Sequence, residues 1–131
     1  MTNHEFLAEY LKYFPENQHL CDEHISDFPD ILGHIFAARA VNDEMLSAFG
    51  NNDKAMFERF CRFIEHIWSL VHDDGDEILN IIDVTILERI SDAPEVWQAF
   101  GGVIKGNFKE YINNTVLTGN MMMTAVERLK F

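Results

Sequence analysis

The sequence contains few residues that break helices or cross-link a chain. Of its 131 residues, only three are proline and two are cysteine. So few prolines favour long helices, because proline removes a backbone donor and clashes with the preceding turn. Two cysteines inside helical patterns do not make the disulfide framework of a small secreted scaffold. The expected setting is therefore a reducing one, with helices packed around a hydrophobic core.

Long apolar runs and a basic N-terminal segment are also missing. No apolar stretch approaches the roughly 20 residues that a membrane-spanning helix needs. Residues 1–5 contain no Lys or Arg, so no signal peptide is expected. These absences predict a cytoplasmic protein that does not insert into membranes.

Basic residues are scarce compared with acidic ones. The chain has 10 Lys and Arg against 22 Asp and Glu, a net charge of −12. Residues 1–100 hold 20 of the acids and 6 of the bases, whereas residues 101–131 hold 2 acids and 4 bases. Such a field repels nucleic acid and anionic lipid, so neither is expected as a partner. It attracts a basic protein, although acidity also keeps many proteins soluble.

Motifs for catalysis and metal binding are missing as well. His19 and His24 are five residues apart, not the three or four of a zinc-binding helix. Gly75 comes too early among its acidic neighbours for an EF-hand loop. Cys21 and His24 could share a helix face, but no Gly-rich elbow or oxyanion motif accompanies them. The sequence therefore predicts no enzyme, no metal site and no cofactor, with the histidines on the surface.

The clearest pattern in the chain is an amphipathic helix over residues 53–72. Projected at 100° per residue, its apolar side chains occupy one continuous face and its polar side chains the other. The apolar face consists of Met56, Phe57, Phe60, Cys61, Phe63, Ile64, Ile67, Trp68, Leu70 and Val71. A helix with this pattern packs one side against a core.

A second helix is expected over residues 76–92, after an acidic turn at residues 73–76. One apolar stripe of this helix consists of Ile78, Leu79, Ile82, Ile86 and Ile90. Ile81, Val84 and Leu87 lie outside that stripe, and a helix that is apolar on more than one side is usually buried between neighbours. We therefore expect this helix to be central, with the preceding helix as the main wall against it.

The rest of the chain also has helical patterns. Further helices are predicted near residues 2–14, 16–26, 94–100, 103–112 and 121–129. In the second of these, Ile25 belongs to a thin apolar edge. Residues 31–49 suit either one long helix or two short helices that bend near residues 37–41.

No segment shows the alternation of a convincing strand. The expected fold is a single all-α domain over residues 1–131, an irregular bundle of about six to eight helices. A HEAT-like stack of antiparallel helix pairs, as in two-helix repeats, is the alternative arrangement.

Two features of these patterns suggest a protein-binding surface. Val84 and Leu87 lie beside acids, which is the mixture of apolar anchors and charged rim found in interfaces. Trp97 also lies beside acids, and tryptophan is frequent among interface hot spots. The alternative is that all three side chains belong to the core. The predicted partner-binding residues are Asp73, Asp74, Asp76, Glu77, Asp83, Glu88 and Trp97.

The chain resembles small, acidic, all-helical immunity proteins of bacterial toxin–immunity systems, including those of contact-dependent growth inhibition. The features that carry this resemblance are the amphipathic helix at residues 6–14, the paired helices at 53–72 and 76–92, and the acidic turn at 73–77. The continuation over residues 86–95 also resembles uncharacterised helical domains of bacterial genomes. The resemblance implies an acidic helical surface that occupies the cationic cleft of a toxin domain, often a basic nuclease.

The function expected from these observations is a cytoplasmic inhibitor that binds a basic toxin domain and occludes its active site. Two alternatives come from other classes: an adaptor or scaffold domain without a toxin partner, and a metal-dependent helical-bundle enzyme that uses some of the histidines. An adjacent toxin gene would favour the inhibitor, stoichiometric metal would favour the enzyme, and neither would favour the adaptor.

Overall fold

The computed structural model describes residues 1–71 and 75–114, and within these ranges all regular structure is helical. The predicted all-α class is confirmed, and the number of helices in these ranges, seven, is within the expected six to eight. They are α1 (Asn3–Tyr13), α2 (Gln18–Asp27), α3 (residues 33–50), α4 (Lys54–Leu70), α5 (residues 77–91), α6 (Pro94–Val103) and α7 (Gly106–Asn114). A 3₁₀ turn, Pro15–Asn17, joins α1 to α2. The helix predicted at residues 121–129 lies outside the described residues.

Two of these helices, α3 and α5, are not regular α-helices. The α3 helix consists of Gly33–Ala37, a π-helical stretch Ala38–Asp43, and Glu44–Gly50. The α5 helix consists of Glu77–Asn80, a π-helical stretch Ile81–Leu87, and Glu88–Ser91. In a π-helix the hydrogen bonds run from i to i+5, so the turn is wider and successive side chains fall at different angles. The region at residues 31–49 thus contains one long helix with a widened middle, not two short ones.

Three helix starts are capped by the residues that the sequence suggests. Thr2 Oγ1 accepts a hydrogen bond from Glu5 N–H at 3.1 Å, and the Glu5 carboxylate accepts one from Thr2 N–H at 3.0 Å. Asp53 accepts from a backbone N–H in the first turn of α4, and Asp76 does the same for α5. These bonds satisfy N–H groups that have no partner within the helix.

One hydrophobic core connects all seven described helices. Its aromatic centre is Phe63 of α4, whose ring stacks on Phe6 with 6.0 Å between centroids. Phe63 also meets Tyr10 and Phe14 of the N-terminal segment at 5.6 and 5.5 Å, close to edge-on in both cases. Such pairs add to the apolar area that these rings bury. The core therefore ties α1 directly to α4.

The α4 helix has more extensive packing than α5. It packs against α1, the second half of α3, α6 and α7, whereas α5 packs chiefly against the first part of α3 and against α6. The expectation that α5 is the central helix is therefore wrong. Ile81 and Leu87 are buried as that expectation required, but Val84 is half exposed. Val84 lies on the same side of α5 as the exposed Glu77, Asn80 and Glu88.

Candidate protein-binding surface

The described part of the chain exposes five large apolar side chains, and four of them are, or directly adjoin, residues whose hydrogen bonds join α2, the start of α3 and α5. Ile25 of α2 is 55% exposed, Leu32 and Ile35 at the start of α3 are 39% and 49% exposed, and Val84 of α5 is 52% exposed. These four residues are called the apolar surface below. The fifth, Leu70, lies at the end of α4.

A buried histidine joins α2 to the start of α3. His24 Nε2 accepts a hydrogen bond from Leu32 N–H at 3.0 Å, and its ring packs against two phenylalanine rings. An accepting Nε2 means that the imidazole is neutral, with its proton on Nδ1. Burial lowers the pKa of His24, although Asp27 opposes that shift. The neutral ring thus holds Leu32 close to Ile25, and the prediction of surface histidines is wrong for His24.

A second side-chain hydrogen bond joins the start of α3 to α5. His34 Nδ1 and Thr85 Oγ1 lie 2.6 Å apart. Ile35 directly follows His34, and Val84 directly precedes Thr85. The bond therefore brings two members of the apolar surface to the same helix crossing.

The two π-helical stretches bond to each other behind this crossing. Asn42, which is fully buried, donates from Nδ2 to the Ile86 carbonyl at 3.2 Å. Arg89 donates to the Ala38 carbonyl at 3.2 Å. Both carbonyls belong to π-helical residues, and such stretches are frequent at functional sites. These bonds fix α5, and therefore Val84, relative to α3.

Acidic side chains border the apolar surface on the α2 side. Asp22 and Asp27 of α2 are exposed, and so is Asp30 in the connection to α3. No Lys or Arg occurs in the sequence between Lys12 and Arg39. The negative charge of this segment therefore has no positive charge of its own to offset it.

The α5 side of the surface is bordered by acids as well. Four of its exposed positions, Glu77, Asn80, Val84 and Glu88, recur every three or four residues and so share one side of the helix, and Arg89 is exposed beside them. Val84 therefore lies between two exposed carboxylates. This arrangement resembles the apolar centre and polar rim of a protein interface.

The predicted partner-binding residues are in different environments. Glu77 and Glu88 are exposed and belong to the acidic border just described. Trp97 is 0% exposed and packs beside Phe100 in the core, so it forms no part of any surface. The large apolar area of the indole ring explains this position, because burying that area in the core stabilises the fold. Asp73 and Asp74 lie outside the described residues.

Asp76 and Asp83 are engaged within the protein. The Asp76 carboxylate lies 2.8 Å from the N-terminal amine of Met1 while it caps α5. Burial raises the pKa of Asp76, but the hydrogen bonds from the amine and from Ile78 N–H outweigh it, so this pKa is below its ordinary value. Asp83 accepts from Tyr111 Oη at 2.7 and 2.9 Å, and burial raises its pKa. Neither carboxylate is available to a partner as freely as Glu77 or Glu88.

Sequence reasoning missed most of the apolar surface. The helical pattern assigned Ile25 to the buried edge of α2 together with Leu20 and Cys21, whereas the structure buries His24 beside those two residues and exposes Ile25. The sequence feature that could have indicated the exposure of Ile25 is its position in a segment that has several acids and no Lys or Arg. That feature indicates an exposed position only once the bond between His24 and the α3 start is known.

The described residues offer little for metal binding or nucleophilic chemistry. They contain no group of three or more His, Cys, Asp and Glu side chains that could hold a metal ion. Cys21 and Cys61 are buried, and burial raises the pKa of their thiols to about 11 and about 12. Both thiols are therefore protonated at neutral pH and are poor nucleophiles. None of the helices described is long and apolar enough to cross a bilayer.

The fold and surface thus define an all-α bundle with an acid-bordered apolar surface. Residues 7–118 match the family described as "Domain of unknown function (DUF7674)", and the chain belongs to that family. No curated protein and no solved structure matches the chain.

Proposed function

We propose that this protein binds a basic protein through the apolar surface and its acidic border. The observation that carries the proposal is that four of the five exposed large apolar side chains of the described residues are, or directly adjoin, residues whose hydrogen bonds join α2, α3 and α5, on segments that also expose carboxylates. In the complex, the apolar side chains form the dry centre of the interface and slow dissociation. The carboxylates accelerate the encounter with a positively charged partner.

The partner that we propose is a toxin domain, such as a basic nuclease, in the bacterial cytoplasm. The net charge of −12 supports this choice, because it complements the cationic cleft that a nuclease needs for its substrate. The resemblance to small acidic immunity proteins supports it as well. Binding occludes the active site, so the proposed mechanism of neutralisation needs no chemical step.

The first test of this proposal removes apolar contact without adding charge. A tagged protein is used to isolate its partner from native lysate, and affinity for the purified partner is then measured by calorimetry. We expect Ile35→Ser combined with Val84→Ser to weaken binding by at least about tenfold, because interface centres carry most of the binding free energy. Ile35→Ser is also measured alone, and Leu70→Ser is its control, since Leu70 is likewise a large apolar side chain exposed outside this surface. Equal effects of the two single changes would contradict the assignment.

The second test concerns the acidic border. The triple change Asp22→Asn, Glu77→Gln and Glu88→Gln should slow association at low salt and weaken its salt dependence. The control triple change neutralises other exposed acids, namely Glu58→Gln, Glu95→Gln and Glu110→Gln. Both proteins lose three charges, so a larger effect of the first set reports on position. Identical association rates would mean that only the total charge matters.

A functional measurement separates the inhibitor from the adaptor. The purified protein is titrated into the isolated partner, and the activity of that partner is measured. Loss of activity at one equivalent supports the inhibitor, and the Ile35→Ser and Val84→Ser protein should then require more than one equivalent. Tight binding that leaves the partner fully active supports the adaptor instead.

A further inference from the structure

A cavity of about 340 Å³ opens between the end of α3, the start of α4 and the end of α6. Its apolar wall consists of Ala48, Phe49, Phe57, Ala99 and Val103. The cavity lies at the opposite end of α3 from the apolar surface, roughly 25 Å away along a helix of this length. It is therefore separate from the proposed protein-binding surface.

The interior of the cavity suits a small apolar group. The rings of Phe49 and Phe57 lie 5.5 Å apart and are tilted by 54°. Ala48 and Ala99 are small, so they leave space between these rings and α6. Volumes of about 300 Å³ and more, with mostly apolar walls and a few polar groups, are typical of small-molecule sites.

The charged groups at this cavity are predominantly negative. Asp53, Lys54 and Glu58 all contribute to its lining. Asp53 uses Oδ1 to cap α4, which leaves Oδ2 for another partner. Glu58 is exposed and has no hydrogen bond or ion pair to any described residue. Two carboxylates against one ammonium, in a chain of net charge −12, favour a cation over an anion.

We infer that this cavity binds a small organic cation that has an aromatic or branched aliphatic body. The body lies against the rings of Phe49 and Phe57, and the protonated amine lies at Glu58 and the free oxygen of Asp53. This site does not depend on the protein partner proposed above.

The probe pair phenethylamine and 3-phenylpropionate tests the charge preference, since the two differ mainly in the sign of the polar group. Each is titrated into the full chain and followed by backbone amide shifts in ¹H–¹⁵N spectra. We expect phenethylamine to bind with a dissociation constant of about 1 mM, as suits a fragment of its size. The shifts should centre on α4 residues 54–58 and on Ala99 and Gly102. The carboxylate should bind about tenfold more weakly.

Variants at the cavity test its location. Gly102 lines the cavity, and a Cβ added there would meet no atom within 4 Å. Gly102→Ala should therefore preserve binding, whereas the ring of Gly102→Phe should obstruct the cavity and abolish it. Glu58→Gln should weaken phenethylamine about threefold, which is within the range for an exposed charge pair. Glu95→Gln, an exposed acid at the other end of α6, should have no effect. Equal binding of both probes, binding that survives Gly102→Phe, or no binding at about 10 mM probe would each overturn the inference.

Discussion

The helices α4 and α5 follow one another in the chain and are both rich in apolar residues, but they use them differently. The α4 helix is regular, and its buried positions follow the period of 3.6 residues that the sequence shows. The α5 helix contains a π-helical stretch, and its buried positions do not fit one stripe at that period. Within this pair, the helical pattern predicts burial well in the helix that keeps its ordinary geometry, and only in part in the helix that contains the π-helical stretch.

The difference extends to how the two helices are held. Aromatic rings dominate around α4, whose polar bonds to other elements are exposed or partly buried. The α5 helix instead has a fully buried polar bond from Asn42 of α3, and a partly buried one from His34. Polar bonds between helices depend on precise position, because a buried group that loses its partner is destabilising. We therefore expect substitutions around α4 to lower stability most when they remove buried side-chain volume. Substitutions around α5 should lower it most when they remove a hydrogen-bonding group.

The largest expected effect is at the aromatic centre of α4. Phe63→Ala should lower the free energy of unfolding by about 3–5 kcal/mol, because it removes a fully buried ring and leaves a cavity among Phe6, Tyr10 and Phe14. Val84→Ala in α5 is the comparison and should change it by less than about 0.5 kcal/mol. Urea denaturation measures both. A loss below about 1 kcal/mol for Phe63→Ala would contradict the central role of α4.

The caps of the two helices should differ by a smaller amount. Asp53→Ala removes one exposed capping bond from α4 and should cost about 1 kcal/mol. Asp76→Ala removes a cap and the partly buried bond to the amine of Met1, so we expect about 2 kcal/mol.

The pKa of Asp76 gives this comparison a pH dependence. Because the folded-state pKa of Asp76 lies below its ordinary value, its stabilising contribution is present above pH 4 or so and is lost as the pH falls through the folded pKa. The difference in the free energy of unfolding between the wild type and Asp76→Ala should therefore become smaller at acidic pH. A difference that is constant from neutral pH to about pH 2 would exclude this origin.

At the crossing of α3 and α5, Gly33→Ala should lower the free energy of unfolding by about 1 kcal/mol. An added Cβ would lie 2.5 Å from Ile81 Cδ1 and 2.7 Å from Asn3 Oδ1, so both side chains would have to move. Gly33→Ala should therefore destabilise the protein in spite of the higher helix propensity of alanine. Gly50→Ala, at the other end of α3 and with no atom within 4 Å of the new Cβ, should be neutral or stabilising. Thermal unfolding of both variants checks the contrast.

The smallest expected effect is a pH dependence at His24. Its pKa is lowered by burial in the folded state, so the unfolded chain binds the proton more readily. The neutral histidine thus contributes stability above its unfolded pKa of about 6.5, and this is lost as the pH falls below that value. His24→Gln, whose amide oxygen can accept from Leu32 N–H, should show a shallower fall in unfolding free energy between about pH 7.5 and 5.5. Parallel curves would show that His24 takes up its proton equally in the folded and unfolded states, so that folding does not lower its pKa.

Local sequence rules predicted the all-α class and a first helix that begins near Thr2. These features depend on residues that are close in sequence, so the sequence contains enough information for them. The π-helical stretches could not be predicted in this way. Their wider turns occur where residues bond to another helix, as in the hydrogen bond from Asn42 Nδ2 to the Ile86 carbonyl.

The candidate surface shows the same limit. The sequence pattern identifies Glu77, Glu88 and Val84 as candidates for a protein-binding surface, because apolar residues outside the main stripe of α5 lie beside acids. It does not identify the exposure of Ile25, because that exposure depends on a bond between His24 and a residue eight positions later, after a proline-containing connection. The acidic neighbours of Trp97 in the sequence suggest a surface position, but its side chain is buried in the core. Contacts across helices, more than composition, decide which apolar side chains remain exposed.

The π-helical stretches also bear on how sequences of this family should be aligned. A π turn accommodates one more residue than the α turn that it replaces. A relative that has one residue fewer within 38–43 or 81–87 can therefore keep both flanking helical segments in register by returning to an ordinary α-helix. A single-residue gap at either stretch is structurally conservative, whereas the same gap within α4 would rotate every following side chain away from the core by about 100°.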